Sequence, residues 1–382
     1  MQTLTSKTPT AVSLEETTLW LCSIASPIGE EKELCDAVRD RLSRLRLPSP
    51  IRRYGNSLVV PLVRKKDTAG PEGTSGAKGT SGAKGSTPHI ALVGHLDTVR
   101  TENGPARLEG GRCHGAGAAD MKSGLAVMIV IAETLGEMAS CDVTLVFYAR
   151  EEGPYVENEL GPVLEKDPEL SKVTLAVCLE PSDNRLHLGC CGSIHATVTF
   201  KGKTGHSARP WEGDNAITKA AGLLDRLSVL APIEHTIEGL LYRTTTTVTL
   251  ANGGRGRNVV PDTFTLNLNH RFAPNTSLEQ AQADVRALVG DDAEVVFTDL
   301  APAARPNAEH PLVKKLVDLG VRGVEPKQAW TDVARFSALG IPAINFGPGE
   351  NAQAHQKNES TDCGLVFQGY RILYSWLTQA VS

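Results

Sequence analysis

The chain has 382 residues, a formal net charge of −5 and a pI near 6.1, with 41% apolar and 22% charged residues. This is the balance of an ordinary globular protein, and the length favours two domains over one. It offers no basic field for nucleic acid or an anionic membrane and no apolar run near the ~18 residues of a membrane span. The opening MQTLTSKTPTAVSLEE lacks the apolar region of a signal peptide, so a cytoplasmic protein is expected. Eight cysteines are scattered without a C-x-x-C pair. Reduced thiols are expected, not a disulfide framework or a structural zinc site.

Ser13 with Glu16 reads as a capping box opening a first helix of about ten residues. A second helix is predicted from Glu30 to Leu45, with Leu34, Val38, Leu42 and Leu45 at helical spacing. Tyr54-Gly55-Asn56 marks a turn before a strand over Ser57–Val63. The tandem GTSGAK repeat within 70–86 reads as a flexible surface loop, a hairpin extension between two core strands. Next, the apolar run Ile90–Val93 leads to His95 and Asp97, and a glycine-spaced loop delivers Asp120 to a helix over Lys122–Met138. A strand over Val143–Ala149 ends in Arg150-Glu151-Glu152, one over Val173–Leu179 ends in Glu180, and Ile341–Phe346 precedes a loop with His355. Strands alternating with helices predict a mainly parallel α/β sheet.

The middle of the chain reads differently. His195–Phe200 alternates, Asp214 is placed to cap a helix, strands follow over Arg243–Leu250 and Thr263–His270, then a helix over Ser277–Leu288 and a strand over Glu294–Phe297. That β-α-β-β-α-β order is a ferredoxin-like α+β unit. The predicted architecture is thus a mainly parallel α/β catalytic domain over 1–190 and 300–382, interrupted by this unit at 191–299.

His95, Asp97, Glu151, Glu152, Glu180 and His355 all fall just beyond predicted strands, where open α/β sheets bind their ligands. Two histidines with several carboxylates suit zinc, cobalt or manganese better than magnesium or calcium. Charge balance favours two divalent ions, with Asp120 as the candidate bridge. On an extended chain Glu151 and Glu152 point to opposite sides, so one can bind metal while the other faces substrate. Glu151 then serves as general base, taking a proton from the attacking water and passing it to the leaving amine, and Asp97 supports His95 from behind. Taken singly, each has an ordinary reading: a solvated acidic pair, a packed histidine, an N-cap at Asp120. His114 reads as a bystander. Only the joint pattern carries the metal site.

GHLDTV (94–99), GAGAADMKSG (115–124) and the Glu151-Glu152 pair resemble the di-zinc aminoacyl hydrolases and peptidases. That family includes acetylornithine deacetylase, carboxypeptidase G and succinyl-diaminopimelate desuccinylase. The desuccinylases of actinobacterial type resemble the chain most, on VTLVFYAREE (143–152), TGHSARPWEGDNAITK (204–219), RNVVPD (257–262), RFAP (271–274) and TDVARFSALGIPAINFGPG (331–349). The resemblance implies one ion on His95 and Glu180, the other on Glu152 and His355, Asp120 bridging, and a cis peptide after Asp120. It implies that His206 polarises the scissile carbonyl from a partner subunit's lid, hence a homodimer through residues 191–299. It also implies an N-succinyl amino acid substrate, with Arg271, Asn258, Thr331 and Arg335 as its contacts; guanidinium groups suit carboxylates. An acetylornithine deacetylase-like deacylase or a metallo-dipeptidase or carboxypeptidase is the alternative, and a non-catalytic metal-binding protein a third reading. The chain departs from its relatives at Arg100, Ala116, Glu159 and Cys190-Cys191, none of them a proposed metal ligand.

Overall fold

A computed structural model describes residues 9–65 and 87–379; the repeat segment lies outside them. The larger sheet has eight strands, in the order Arg52–Tyr54, Ser57–Val63, Asp142–Tyr148, His89–His95, Leu175–Cys178, Ala343–Asn345, Leu186–Leu188 and Val324–Pro326. The four strands from Asp142–Tyr148 to Ala343–Asn345 run parallel, while Ser57–Val63 lies antiparallel to Asp142–Tyr148, and Leu186–Leu188 lies antiparallel to Ala343–Asn345 and parallel to Val324–Pro326. The strands either side of the repeat are not neighbours, since Asp142–Tyr148 lies between them, so the expected hairpin is ruled out.

Every residue of Ser57–Val63 and His89–His95 is buried, as a sheet covered on both faces requires. One face packs against helices Pro9–Ser23, Lys32–Leu42, Ser123–Thr134 and Cys363–Gln379, the other against Leu160–Lys166 and Val333–Ala338. Helix Ser123–Thr134 is buried continuously from Ser123 to Ala132, being sandwiched between the sheet and two other helices. It is apolar all round for that reason. Ser13 sits inside the described helix Pro9–Ser23, a turn past its first described residue, and not at a helix start.

The second sheet has five strands, all antiparallel, in the order Ile233–Ile237, Leu240–Gly253, Thr263–Phe272, Gly192–Lys201, Glu294–Ala301. Alternate residues such as Ala196, Val198, Phe264, Leu266 and Leu268 pack on one face with residues of helices Ala216–Lys219, Ala221–Ser228 and Leu278–Val289. Without Ile233–Ile237 the chain order is the predicted strand–helix–strand–strand–helix–strand. The added strand forms a hairpin through Glu238 and Gly239, both at positive φ. Glu-Gly is a weaker hairpin signal than Asn-Gly or Asp-Gly, which explains the omission. Asn215, not Asp214, caps the first helix, accepting from the amides of Ile217 and Thr218 at 3.0 and 3.4 Å. Asp214 instead exchanges main-chain hydrogen bonds with Lys203. No helix among the described residues is long and apolar enough to cross a membrane.

Candidate metal centre and substrate cleft

The register of the parallel strands brings the acids and histidines to one rim. His95 pairs with Tyr148 and Val93 with Cys178, so Glu180, two residues past Cys178, comes level with His95. Glu151 and Glu152 follow Tyr148 through a turn made by Arg150 at φ 64°. Asp120 arrives on the glycine loop. Gly117 in that loop has φ 75°, and a Cβ there would lie 2.6 Å from the Thr98 methyl, so glycine is required. The carboxylate of Glu359 accepts hydrogen bonds from the amides of Gly117, Ala119 and Asp120 at 2.9, 2.8 and 2.8 Å, fixing the loop that carries Asp120. The Asp120–Met121 peptide is cis, as the resemblance implied. The loop bearing His355 presses on the same turn, where a Cβ on Gly349 would meet the Ala119 carbonyl at 2.0 Å.

Asp120 lies between two imidazoles. One of its oxygens is 3.2 Å from His95 Nε2, and the other is 3.4 Å from His355 Nε2, which also lies 3.0 Å from Glu152 Oε1. Two sets of potential ligands overlap at Asp120: His95, Asp120 and Glu180, and Asp120, Glu152 and His355, each with ligand atoms within 4.8 Å of one another. A third set joins His95 to Glu151 and Glu152. Glu180 Oε1 is buried without a hydrogen-bond partner, an arrangement that is costly unless a cation meets it. Mixed imidazole and carboxylate donors, one shared carboxylate and an orphaned buried oxygen fit a pair of divalent ions.

The electrostatics point the same way. Burial pushes the Glu151 carboxyl well above the usual carboxylate range, and the charge of Glu180 adds to the effect. Burial and the neighbouring Asp120 push Glu180 up to about 7. Burial pulls His95 down, but its hydrogen bond to Asp120 and the charges of Asp97 and Glu180 outweigh that and hold its imidazole well above the ordinary value. Hydrogen bonds to Asp120 and Glu152 push His355 up to about 10. Burial tends to raise Asp120, yet its bonds from His355 and His95 win and hold it well below its ordinary value. A surplus of carboxylate thus holds protons on both imidazoles, which are the protons that metal binding releases.

Asp97 supports His95 through its main chain. His95 Nδ1 bonds to the main-chain oxygen of Asp97 at 2.9 Å, while the Asp97 carboxylate stands 3.6 Å from it. That carboxylate accepts instead from the amides of Glu151 and Glu152 at 3.0 and 2.9 Å. One residue therefore orients the histidine and pins the acidic pair. His114 lies in a short strand paired with Ser360 and Arg107 and joins none of these clusters.

Beside the rim is a cleft of about 370 Å³ whose lining includes Glu151, Glu180, Thr331, Arg271, Ser193 and Lys327. The Arg271 Nε–H donates to Asn269 Oδ1 at 2.9 Å, and Thr331 Oγ1 is buried without a partner. Arg335 is placed elsewhere. Its Nε–H donates to Asp332 at 2.6 Å, a second nitrogen donates to the Tyr155 carbonyl, and the guanidinium stacks 3.8 Å over the Tyr155 ring. Asp332 is buried and also accepts from Tyr148 and Asn158. Arg335 thus belongs to a buried ion pair behind the cleft, and it is not among the cleft-lining residues. His206 lies on Gly205–His206, which pairs with Val259–Val260, and Asn258 immediately precedes that second segment; both are exposed, and neither lines the cleft of its own chain.

Two residues escaped the sequence reading. Glu359 lies in the polar run HQKNES and Lys327 in EPKQAW, where nothing in the spacing separates them from solvated turn residues. Of the departures from relatives, Glu159 has a structural role: its carboxylate accepts from the Asn56 amide and the Ser57 hydroxyl at 2.9 and 2.6 Å. Arg100 pairs with Glu30 on the surface.

A sequence model of the peptidase family M20/M25/M40 matches residues 91–379. The chain is 40% identical over 290 residues to a Mycobacterium tuberculosis protein assigned as a succinyl-diaminopimelate desuccinylase, spanning 75% of this chain and 82% of that one. It is 34% identical over 368 residues to the succinyl-diaminopimelate desuccinylase of Corynebacterium glutamicum, spanning 94% of each. Among solved structures, an aminopeptidase from Bacillus cereus superposes with a TM-score of 0.76 at 18% identity, covering 97% of this chain and 99% of that one. A Bacillus subtilis protein described as a dinuclear metal binding peptidase of the M20 family superposes with a TM-score of 0.68 at 13% identity, covering 97% of this chain and 98% of that one. Those two share the fold. The expected family is therefore the observed one: the chain belongs to peptidase family M20/M25/M40 and is a metal-dependent amide hydrolase.

Proposed function

We propose that the protein is a di-zinc hydrolase that cleaves N-succinyl-LL-2,6-diaminopimelate to succinate and LL-2,6-diaminopimelate, a cytoplasmic step of lysine and diaminopimelate synthesis. One observation carries the substrate: the 34% identity to the Corynebacterium glutamicum desuccinylase extends over 94% of both chains. In this reading His95 and Glu180 would hold one ion and Glu152 and His355 the other, with Asp120 available to both; cobalt or manganese would fit the same donors. When bound, such ions polarise an amide carbonyl and lower the pKa of water.

The remaining work falls to the chain's own residues. Glu151, whose carboxyl holds its proton more tightly than usual, takes the proton of the attacking water as its oxygen adds to the scissile carbonyl. It returns that proton to the amine nitrogen as the C–N bond breaks, leaving succinate and a free amine. Asp97 keeps Glu151 in place through the two amide hydrogen bonds. His206 donates to the carbonyl oxygen from a second copy of the chain, with Asn258 beside it, and Arg271 and Thr331 hold the substrate. We infer a catalytic domain of residues 1–190 and 300–382 and a lid and dimerisation domain of residues 191–299. The exposure of His206 and Asn258 supports completion of the site in a homodimer.

The test is a substrate panel on the purified, zinc-loaded protein: N-succinyl-LL-2,6-diaminopimelate, N-acetylornithine and simple dipeptides. A kcat/KM at least about 100-fold higher for the succinyl compound is expected. A higher value for acetylornithine overturns the substrate assignment.

A further inference from the structure

We propose that Lys327 anchors a substrate carboxylate and, with Arg271, makes the cleft selective for amides flanked by two anionic groups. The inference rests on the amide-hydrolase reading above and adds a specificity-determining residue to it. Lys327 follows the strand Val324–Pro326 and is only 8% exposed, yet it lines the cleft. Its main-chain amide donates to the Leu188 carbonyl at 3.1 Å, and its main-chain oxygen accepts from the Cys191 amide at 3.3 Å. The segment is thereby tied to the entry of strand Gly192–Lys201, where Ser193 is the register partner of Arg271. Both cations border the same stretch of wall.

Neither cation is held in a close ion pair, although the charge of Lys327 reaches Glu180 and that of Asp299 reaches Arg271. Among the described residues no carboxylate oxygen lies within 4.0 Å of the Lys327 ammonium or the Arg271 guanidinium. Lys327 acts on Glu180 through charge alone, with no ion pair or hydrogen bond between them, and the buried Glu180 Oε1 has no hydrogen-bond partner. Thr331 Oγ1, in the same wall, is also buried and unpartnered. A sheltered charge is costly unless something pairs with it. A carboxylate has lone pairs for an ammonium, a hydroxyl and a guanidinium together. Two separate cations can accept two carboxylates, one from the acyl group and one from the amino-acid side. Lys327 takes one of these, and the experiment distinguishes which.

Three substrates serve: N-succinyl-LL-2,6-diaminopimelate, its N-acetyl counterpart, and the succinyl compound with the carboxyl beside the acylated nitrogen converted to a carboxamide. kcat/KM is measured for the wild type, Lys327→Met and Lys327→Arg, with metal content and melting temperature on the same preparations. The expected result is that Lys327→Met loses the preference for the parent over one of the two analogues by at least about tenfold, while Lys327→Arg keeps most of it. The analogue concerned identifies the carboxylate. Lys327→Met retaining both preferences, or lowering all three substrates by one common factor, overturns the proposal. A wild type that favours the acetyl compound overturns the succinyl assignment alone, since the carboxamide arm still decides the role of Lys327. Should Lys327→Met fail to fold, Lys327→Gln carries the same comparison.

Discussion

Strand His89–His95 is buried along its whole length, whereas Leu240–Gly253 of the five-stranded sheet has a single buried residue, Tyr242. The functional groups differ in the same way. On the parallel sheet, His95, Asp120, Glu152 and His355 touch one another, and Asp97 and Glu359 lock the two loops behind them. On the other sheet, His206 and Asn258 stand together but in solvent, away from the cleft of their own chain. The rim is preorganised because strand register and buried carboxylates fix it within one chain. In the proposed function the exposed pair acts on the cleft of a second copy of the chain.

The largest effect should come from breaking the rim at its shared residue. Asp120→Ala removes the only carboxylate common to the two overlapping ligand sets that hold Glu180 and His355, so metal affinity should fall by more than about 100-fold, beyond what outer partners cost. Equilibrium dialysis with elemental analysis reads this directly. His206→Ala should leave metal binding intact and lower kcat by about 10²–10³, the range for losing one donor to a developing oxyanion. Mixing it with Glu151→Gln subunits should restore part of the activity, because one hybrid site then has both groups; the absence of rescue would count against a shared site.

Arg335 sharpens the contrast between binding and support. Arg335→Met should destabilise the fold by about 3 kcal/mol, because it strands the buried Asp332 carboxylate. Adding Asp332→Asn should recover much of that loss in denaturant titrations. The smallest effect is on pH dependence. His355 is pushed up to about 10 from 6.5, so its stabilising contribution in the metal-free protein is complete below pH 6.5 and is lost as pH rises through 10. Between pH 7 and 10 the melting temperature of the EDTA-treated protein should therefore fall. Zinc should widen its advantage over that range by taking the place of the proton. His89 and His187, held near 4 by burial, act in the opposite sense but only at lower pH.

How much of this could be read beforehand follows from the range of each signal. His95, Glu152, Glu180 and His355 were legible because each follows an apolar run, and strand direction alone then carries them to one rim. Thr263–Phe272 was legible because its alternation survives in the burial pattern. Glu359 was not, since its work is done on Gly117, Ala119 and Asp120, some 240 residues earlier in the chain. Lys327 was passed over, and Arg335 read as a substrate contact, for a related reason. Both are cations near Thr331, and only tertiary packing shows that Arg335 is ion-paired with Asp332 while Lys327 lines the cleft with no close ion pair among the described residues. The Asp97 result is finer still, because residue identity was sufficient to find it but not to say which oxygen faces His95.

The most direct test counts bound metal and measures hydrolysis of N-succinyl-LL-2,6-diaminopimelate on the same samples of the wild type and Glu151→Gln. Two ions per chain are expected in both proteins, with turnover in the variant reduced by about 10²–10⁴. A Glu151→Gln enzyme with two ions and wild-type turnover, or a fully active wild type that binds fewer than two ions, would contradict this expectation.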